Sequence, residues 1–188
     1  RHYGAPPQVL AASATIANAR EHAEALTGLP FEELKAQVAR TERELLVLLP
    51  KPLDRRGERR RSPLLEAAYL ARRLAEAGLK GLVFAGARKS AELIARYAAH
   101  PLVRPYRAGH TARERRRLEA DLKEGRVRVL VSTSALELGV DIGELDAVVL
   151  VGYPGSTAAF WQRAGRAGRG ERRALLVYIP REDPMDEY

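Results

Sequence analysis

Two short stretches of this chain carry residue types that can do chemistry, and one apolar strand joins them. Residues 162–170 read Gln-Arg-Ala-Gly-Arg-Ala-Gly-Arg-Gly. Arg163, Arg166 and Arg169 recur at every third position among alanines and glycines, and no Asp or Glu lies between Ser156 and Gly170 to neutralise them locally. Guanidinium groups set out in this way suit a phosphate that arrives from elsewhere, because the planar fork donates two parallel hydrogen bonds and stays charged. The other stretch, 131–143, reads Val-Ser-Thr-Ser-Ala-Leu-Glu-Leu-Gly-Val-Asp-Ile-Gly. Thr133 follows a strand end, where its hydroxyl and amide can donate to a nucleic-acid phosphate. It can also cap a helix, and the two roles are compatible.

The elements that position these residues are legible from period and punctuation. Val127–Val131 and Ala147–Val151 read as buried strands, a helix is expected over about 157–166, and Ala174–Ile179 reads as the strand that follows. Upstream, Ser62 and Pro63 open a helix that Gly78 ends, Leu82–Phe84 is a strand, and a helix covers about 90–99. Val103–Tyr106 is a short strand, and Thr111-Ala-Arg-Glu114 is a capping box that opens a helix running to Gly125. Strand–helix alternation of this kind predicts a parallel sheet with helices on both faces, with ligands at the carboxyl ends of the strands. Both chemical stretches lie where that rule puts a site, just after a strand or on the helix leading to the next one. Nearer the start, Gln8–Ala12 reads as a strand, a helix is expected over 18–26, and Glu44–Leu49 reads as a strand closed by Pro50 and Pro52. Residues 51–61 are basic and poor in apolar groups, which predicts an exposed, mobile linker.

The 188 residues suffice for one α/β domain and part of another, and a hydrophobic content of 46% supplies a core. Lys and Arg number 32 against 24 Asp and Glu, a net charge of +8 that favours a polyanionic partner. No cysteine is present, which excludes disulfides and thiolate metal sites, and the four histidines lack ligand spacing, so no metal site is expected. No apolar run approaches the roughly 20 residues of a membrane span. A soluble, cytoplasmic protein with no membrane partner is expected.

Taken together in order, these pieces resemble the second RecA-like domain of superfamily 2 helicases, the DEAD/DEAH-box class and its relatives. Ser13-Ala-Thr15 is similar to motif III, Val83-Phe84 with Arg88 to motif IV, Tyr106-Arg-Ala-Gly-His110 to the stretch before motif V, residues 131–143 to motif V and 162–169 to motif VI. Within the class, residues 135–143 and 152–162 most resemble the YprA-type DNA repair helicases. The fold implied is a P-loop NTPase-type sheet without its own P-loop. The chain has no G-x-x-x-x-G-K-[ST] and no Asp-Glu box on a strand. The resemblance therefore implies a fragment: residues 1–50 as the tail of a first RecA-like domain, 51–61 as a linker, and 62–188 as the second domain.

In such motors ATP lies between the two domains of one polypeptide, and the first domain holds the phosphates and Mg2+. By motif position, Arg166 and Arg169 would stabilise charge on the γ-phosphate, a contribution of about 10³–10⁵ in rate. Gln162 would bond the phosphate edge or neighbouring motif residues, unless it is a plain surface residue. Gly139 and Asp141 match positions that meet the nucleotide sugar, although an Asp there can equally cap a turn. Arg163 can face acidic groups or ATP. Arg88, Gly109, His110 and Thr133 are implied to grip the nucleic-acid backbone. Tyr106, Tyr153 and Trp161 are candidates for stacking on bases, with core packing beside Phe160 the stronger reading for Trp161. The expected function is an ATP-dependent helicase or translocase, inactive as this piece alone, with DNA favoured over RNA and repair as the setting. The alternatives are an RNA helicase of the same superfamily and a non-catalytic RecA-like binding module.

Overall fold

Six runs of aliphatic residues, four to six long, pair side by side into one parallel sheet. A computed structural model describes residues 8–12, 18–34, 42–54, 56, 59–133, 142–168 and 173–181. The strands are β1 (Arg43–Val47), β2 (Gly81–Phe84), β3 (Val103–Tyr106), β4 (Val129–Ser132), β5 (Ala147–Val151) and β6 (Ala174–Ile179). Their order across the sheet is β1-β6-β5-β2-β4-β3, and every pairing is parallel. The middle strands β2, β4 and β5 are buried at every position, so they read as continuous apolar runs instead of alternating ones.

Side chains nevertheless divide by parity between two cores. Val83, Val129, Val131, Val149 and Val177 pack with Ala67, Ala71, Leu74, Ala91 and Ile94 of α2 (Pro63–Glu76) and α3 (Arg88–Ala98). Leu82, Phe84, Leu130, Val148, Leu150 and Leu176 face the other way, toward Leu122 of α4 (Ala112–Lys123) and Ala164 of α5 (Thr157–Ala164). Small residues on α2, Ala67, Ala68, Ala71 and Ala75, let that helix lie close to the sheet. The expected doubly covered parallel sheet is present.

The capping box of α4 forms as the sequence predicts. Glu114 N donates to Thr111 Oγ1 at 3.2 Å, and Thr111 N donates to Glu114 Oε2 at 2.7 Å. At α2 the Ser62 side chain makes no capping bond. Its carbonyl instead accepts from Leu65 and Glu66, and Pro63 fills the first turn.

Two expectations for the leading residues change. The chain divides into two compact units between Ala39 and Arg40, so strand 43–47 belongs to the sheet and not with a leading segment that ends at residue 50. Residues 51–61 are exposed at most described positions but are not a loose linker. Pro52 and Arg60 form an antiparallel bridge, Leu53 N donates to Arg59 O, and Arg61 N donates to Lys51 O. Asp54 accepts from Arg59 N at 3.0 Å, so one carboxylate closes a hairpin that charge count alone does not disclose.

In the first unit, α1 (Ala19–Thr27) ends at Gly28, whose left-handed φ of 70° turns its N–H onto Glu24 O. Gln8–Ala12 is exposed and forms no strand, because no partner edge pairs with it. Ser13-Ala-Thr15 lies outside the described residues. Among the described residues no helix is long and apolar enough to cross a membrane.

Candidate nucleotide and nucleic-acid site

Phe84, Ser132 and Tyr106 stand in register at the ends of β2, β4 and β3, so the segments that follow these strands emerge side by side. Arg88 comes after β2 and is the exposed first residue of α3. Gly109 and His110 come after β3, and half-buried Thr133 follows β4 directly. The four residues expected to touch nucleic acid are therefore brought to one edge of three neighbouring strands.

The loop after β3 is a tight turn. His110 N donates to Arg107 O at 3.1 Å, and His110 Nδ1 accepts from Arg107 N at 3.3 Å. No atom lies within 4 Å of where a Cβ on Gly109 would stand, so the turn is open to an incoming chain. Arg107 is held sideways by Glu92, Nη1 to Oε1 at 3.0 Å.

The arginine motif lies elsewhere. Helix α5 leaves the carboxyl end of β5 with Ser156 as its cap, where Ala159 N donates to Ser156 Oγ at 3.1 Å. It then runs back along the sheet. At about 1.5 Å per residue its eight residues cover roughly 12 Å, most of the length of a five-residue strand. The chain thus arrives at the amino edge before β6 begins. There Ala167 bridges Leu145, two residues ahead of β5, and Gly168 N donates to Leu145 O at 3.1 Å. Thr133 directly follows β4, whereas the backbone beyond Arg166 has reached the amino edge, because a crossover helix must return the chain to the start of the next strand.

Arg166 is 9% exposed, one of only two buried polar or charged residues among the described ones. Gln162 is exposed on α5, and Arg163 lies over the Phe84 ring, its Cζ 5.4 Å from the centroid. Gly139, Asp141 and Arg169 lie outside the described residues, as does Glu137.

Two residues of β1 and its approach frame the motif, and sequence reasoning did not single them out. Arg43 Nε donates to Ala167 O at 3.0 Å. Glu42 Oε2 pairs with Arg173 Nε at 2.8 Å, and Glu42 O accepts from Ala174 N. The signal was weak: an Arg at the head of a strand in an Arg-rich chain looks like solubility.

Arg181 is a further residue that went unnoticed. Its stem crosses Gly152 after β5, where a Cβ would meet its Cδ at 2.9 Å, and its head lies on Gly86 after β2, where a Cβ would meet both terminal nitrogens at 3.0 Å. Only residues without side chains leave that channel open across the strand ends.

The aromatic candidates part company. Tyr106 is 2% exposed and donates from its hydroxyl to Glu119 Oε1 at 2.8 Å, with burial and that carboxylate pushing its pKa up to about 12. It cannot stack on a base. Trp161 is 51% exposed, contrary to the expected core packing. Phe160 takes the inner place, edge-on to Tyr178 at 5.8 Å, and Trp161 leans on Phe160 from outside at 5.4 Å. Tyr153 is half-buried, its hydroxyl 3.4 Å from Thr157 Oγ1.

Comparison with known proteins bears on the family and the fold. Residues 64–171 match the family described as "Helicase conserved C-terminal domain". A Bacillus subtilis (strain 168) protein named "Uncharacterized ATP-dependent helicase YprA" is 38% identical over the whole chain, which spans 26% of that relative. The DUF1998 helicase MrfA, solved bound to DNA, is 37% identical with a TM-score of 0.87 over the whole chain, again 26% of the longer one. The same helicase solved with DNA and AMPPNP is 38% identical at a TM-score of 0.81 over 94% of this chain and 26% of its own. The C-terminal domain of the DEAD-box protein Dbp5, at 21% identity and a TM-score of 0.56 over 78% of this chain and 79% of its own, shares the fold alone. The chain thus spans about a quarter of the length of these helicase relatives. With its six-stranded parallel sheet of RecA-like type, it belongs to the family of helicase conserved C-terminal domains.

Proposed function

We propose that this chain is the second motor domain of an ATP-driven helicase or translocase that moves along nucleic acid, DNA in preference to RNA, with repair as its setting. Residues ahead of Arg40 would close the first RecA-like domain of the same polypeptide. That domain would hold ATP and Mg2+. The observation that carries the reading is the alignment of Arg88, the Gly109–His110 turn and Thr133 behind three strands whose last residues are in register. Such an edge offers donors at intervals close to the roughly 4.8 Å strand spacing, which lets one extended backbone meet several of them. The relatives that support it are named as ATP-dependent helicases, and one is solved with DNA and AMPPNP.

Arg166 and Arg169, with Gln162, would face the γ-phosphate held by the first domain, and Gly139 and Asp141 would meet its sugar. The burial of Arg166 favours this role. A guanidinium already fixed by its surroundings need not reorganise when the phosphate's charge develops. In the full-length protein, Arg166→Ala or Arg169→Ala is expected to lower the DNA-stimulated kcat by about 10³. Single-stranded DNA affinity should stay within about twofold, since on this reading the motif meets ATP and the nucleic acid is held by the strand-end edge. Parental ATPase rates in both variants would remove the arginine assignment.

A further inference from the structure

The stretch that carries Arg169 is tied at both of its ends to two consecutive residues. Ahead of it, the Ala167 carbonyl accepts from Arg43 Nε at 3.0 Å. Behind it, Arg173 pairs with Glu42 at 2.8 Å, and Ala174 N donates to Glu42 O. Arg43 opens β1, the first described strand after the boundary between the two compact units, and Glu42 directly precedes it. Among the described residues β1 is an edge strand whose one neighbour is β6, the strand that the arginine motif feeds. Its five side chains are all exposed, so core packing does not explain what β1 contributes.

The two ties differ in weight. The Glu42–Arg173 pair is 75% and 84% exposed at its side chains, and such pairs contribute little. Arg43 reaches a carbonyl whose residue is fully buried, and a charged donor there is the stronger bond. That carbonyl belongs to the residue next to Arg166, and the following N–H is already committed to Leu145 O. Arg43 and Leu145 thus hold the peptide between Ala167 and Gly168 from two sides, directly between the two arginines. Holding it fixes the backbone just beyond Arg166.

We propose that Arg43, assisted by Glu42, is a positioning residue for the arginine motif, through which the strand that follows the inter-unit boundary sets the aim of Arg166 and Arg169. The inference rests on the reading of those arginines as γ-phosphate ligands. It makes β1 the element whose pairing to β6 must be intact for hydrolysis, though it touches neither nucleotide nor nucleic acid.

The test is a double-mutant cycle in the full-length helicase, with ATPase rates measured at saturating single-stranded DNA. Arg43→Ala is expected to lower kcat by about tenfold to a hundredfold, the scale of one charged hydrogen bond, with the KM for ATP and the DNA affinity within about twofold of the parent. Arg43→Lys, which keeps a cationic donor, should recover more than half of the loss. Because Arg43 acts through the motif, the Arg43→Ala/Arg166→Ala pair should be no slower than Arg166→Ala alone. If Arg43→Ala retains the parental kcat, the proposal fails. It fails equally if the two losses multiply, or if Lys does not rescue, since a general loss of folding would do both. Should Arg166→Ala itself run at the parental rate, the γ-phosphate reading falls, and the positioning role with it.

Discussion

The phenol of Tyr106 sits beneath the turn that carries His110, the rings edge to face at 6.3 Å, and its proton is committed to Glu119. Its contribution is structural, and its titration follows from that. Burial raises the pKa of the folded form to about 12 from the ordinary 10.0. The neutral phenol therefore stabilises the fold fully below pH 10. Between about pH 10 and 12 the unfolded chain gives up its proton first, so stability falls across that window. Tyr106→Phe is expected to cost about 1 kcal/mol at neutral pH through the lost hydrogen bond. It should also flatten the alkaline fall, which urea melts at pH 8 and pH 11 would show. An unchanged slope between the two would mean that another group drives it. Arg181 makes the same point by other means: the absence of side chains at Gly86 and Gly152 decides where a guanidinium can lie.

Among the elements, α4 is where local sequence carries the most weight. It has a single fully buried side chain, Leu122, and the rest is largely charged, so packing holds it weakly and its cap matters more than usual. Glu114 is part of that cap. Its carboxyl lies below the usual carboxylate range because it accepts from the Thr111 backbone and hydroxyl. Thr111→Ala removes the hydroxyl half of the box, leaving the Thr111 backbone N–H on Glu114, and is expected to cost about 1 kcal/mol, read as a lower urea midpoint with an unchanged slope. A loss of a few tenths or less would show that tertiary contacts, not the cap, hold the helix. α5 is the contrasting case. It is only eight residues long, and its course is set by the two strand ends it must join, so its cap at Ser156 starts it without determining where Arg166 finishes.

At the scale of the whole molecule, the excess of eight positive charges and the row of strand-end segments suit an extended polyanion. The phosphate-cradling loop is missing from the sequence, and no Asp-Glu box stands on a strand. On the proposed reading the chain supplies only one side of the nucleotide site. Residues 1–188 alone are therefore expected to show no magnesium-dependent ATP turnover above background, assayed with and without single-stranded DNA. Robust turnover would contradict the division of labour between two motor domains. The full-length protein, by contrast, should turn over ATP in a DNA-dependent manner.

The sequence by itself determined the sheet, its doubly covered faces, the order of motifs and the family, because apolar runs, glycine stops and the Thr111–Glu114 box are local signals that outlast folding. It also placed Arg88, Gly109, His110 and Thr133 just after strands, which is where they lie. What it could not reveal depends on pairing between distant segments. That Arg166 is buried at the opposite edge, that Arg43 reaches a carbonyl 124 residues away, and that Tyr106 turns inward while Trp161 stays out were all decided by tertiary structure. The physical reason is that a side chain's surroundings are fixed by which strands become neighbours. Here the strands meet in the order β1-β6-β5-β2-β4-β3, which no local pattern encodes.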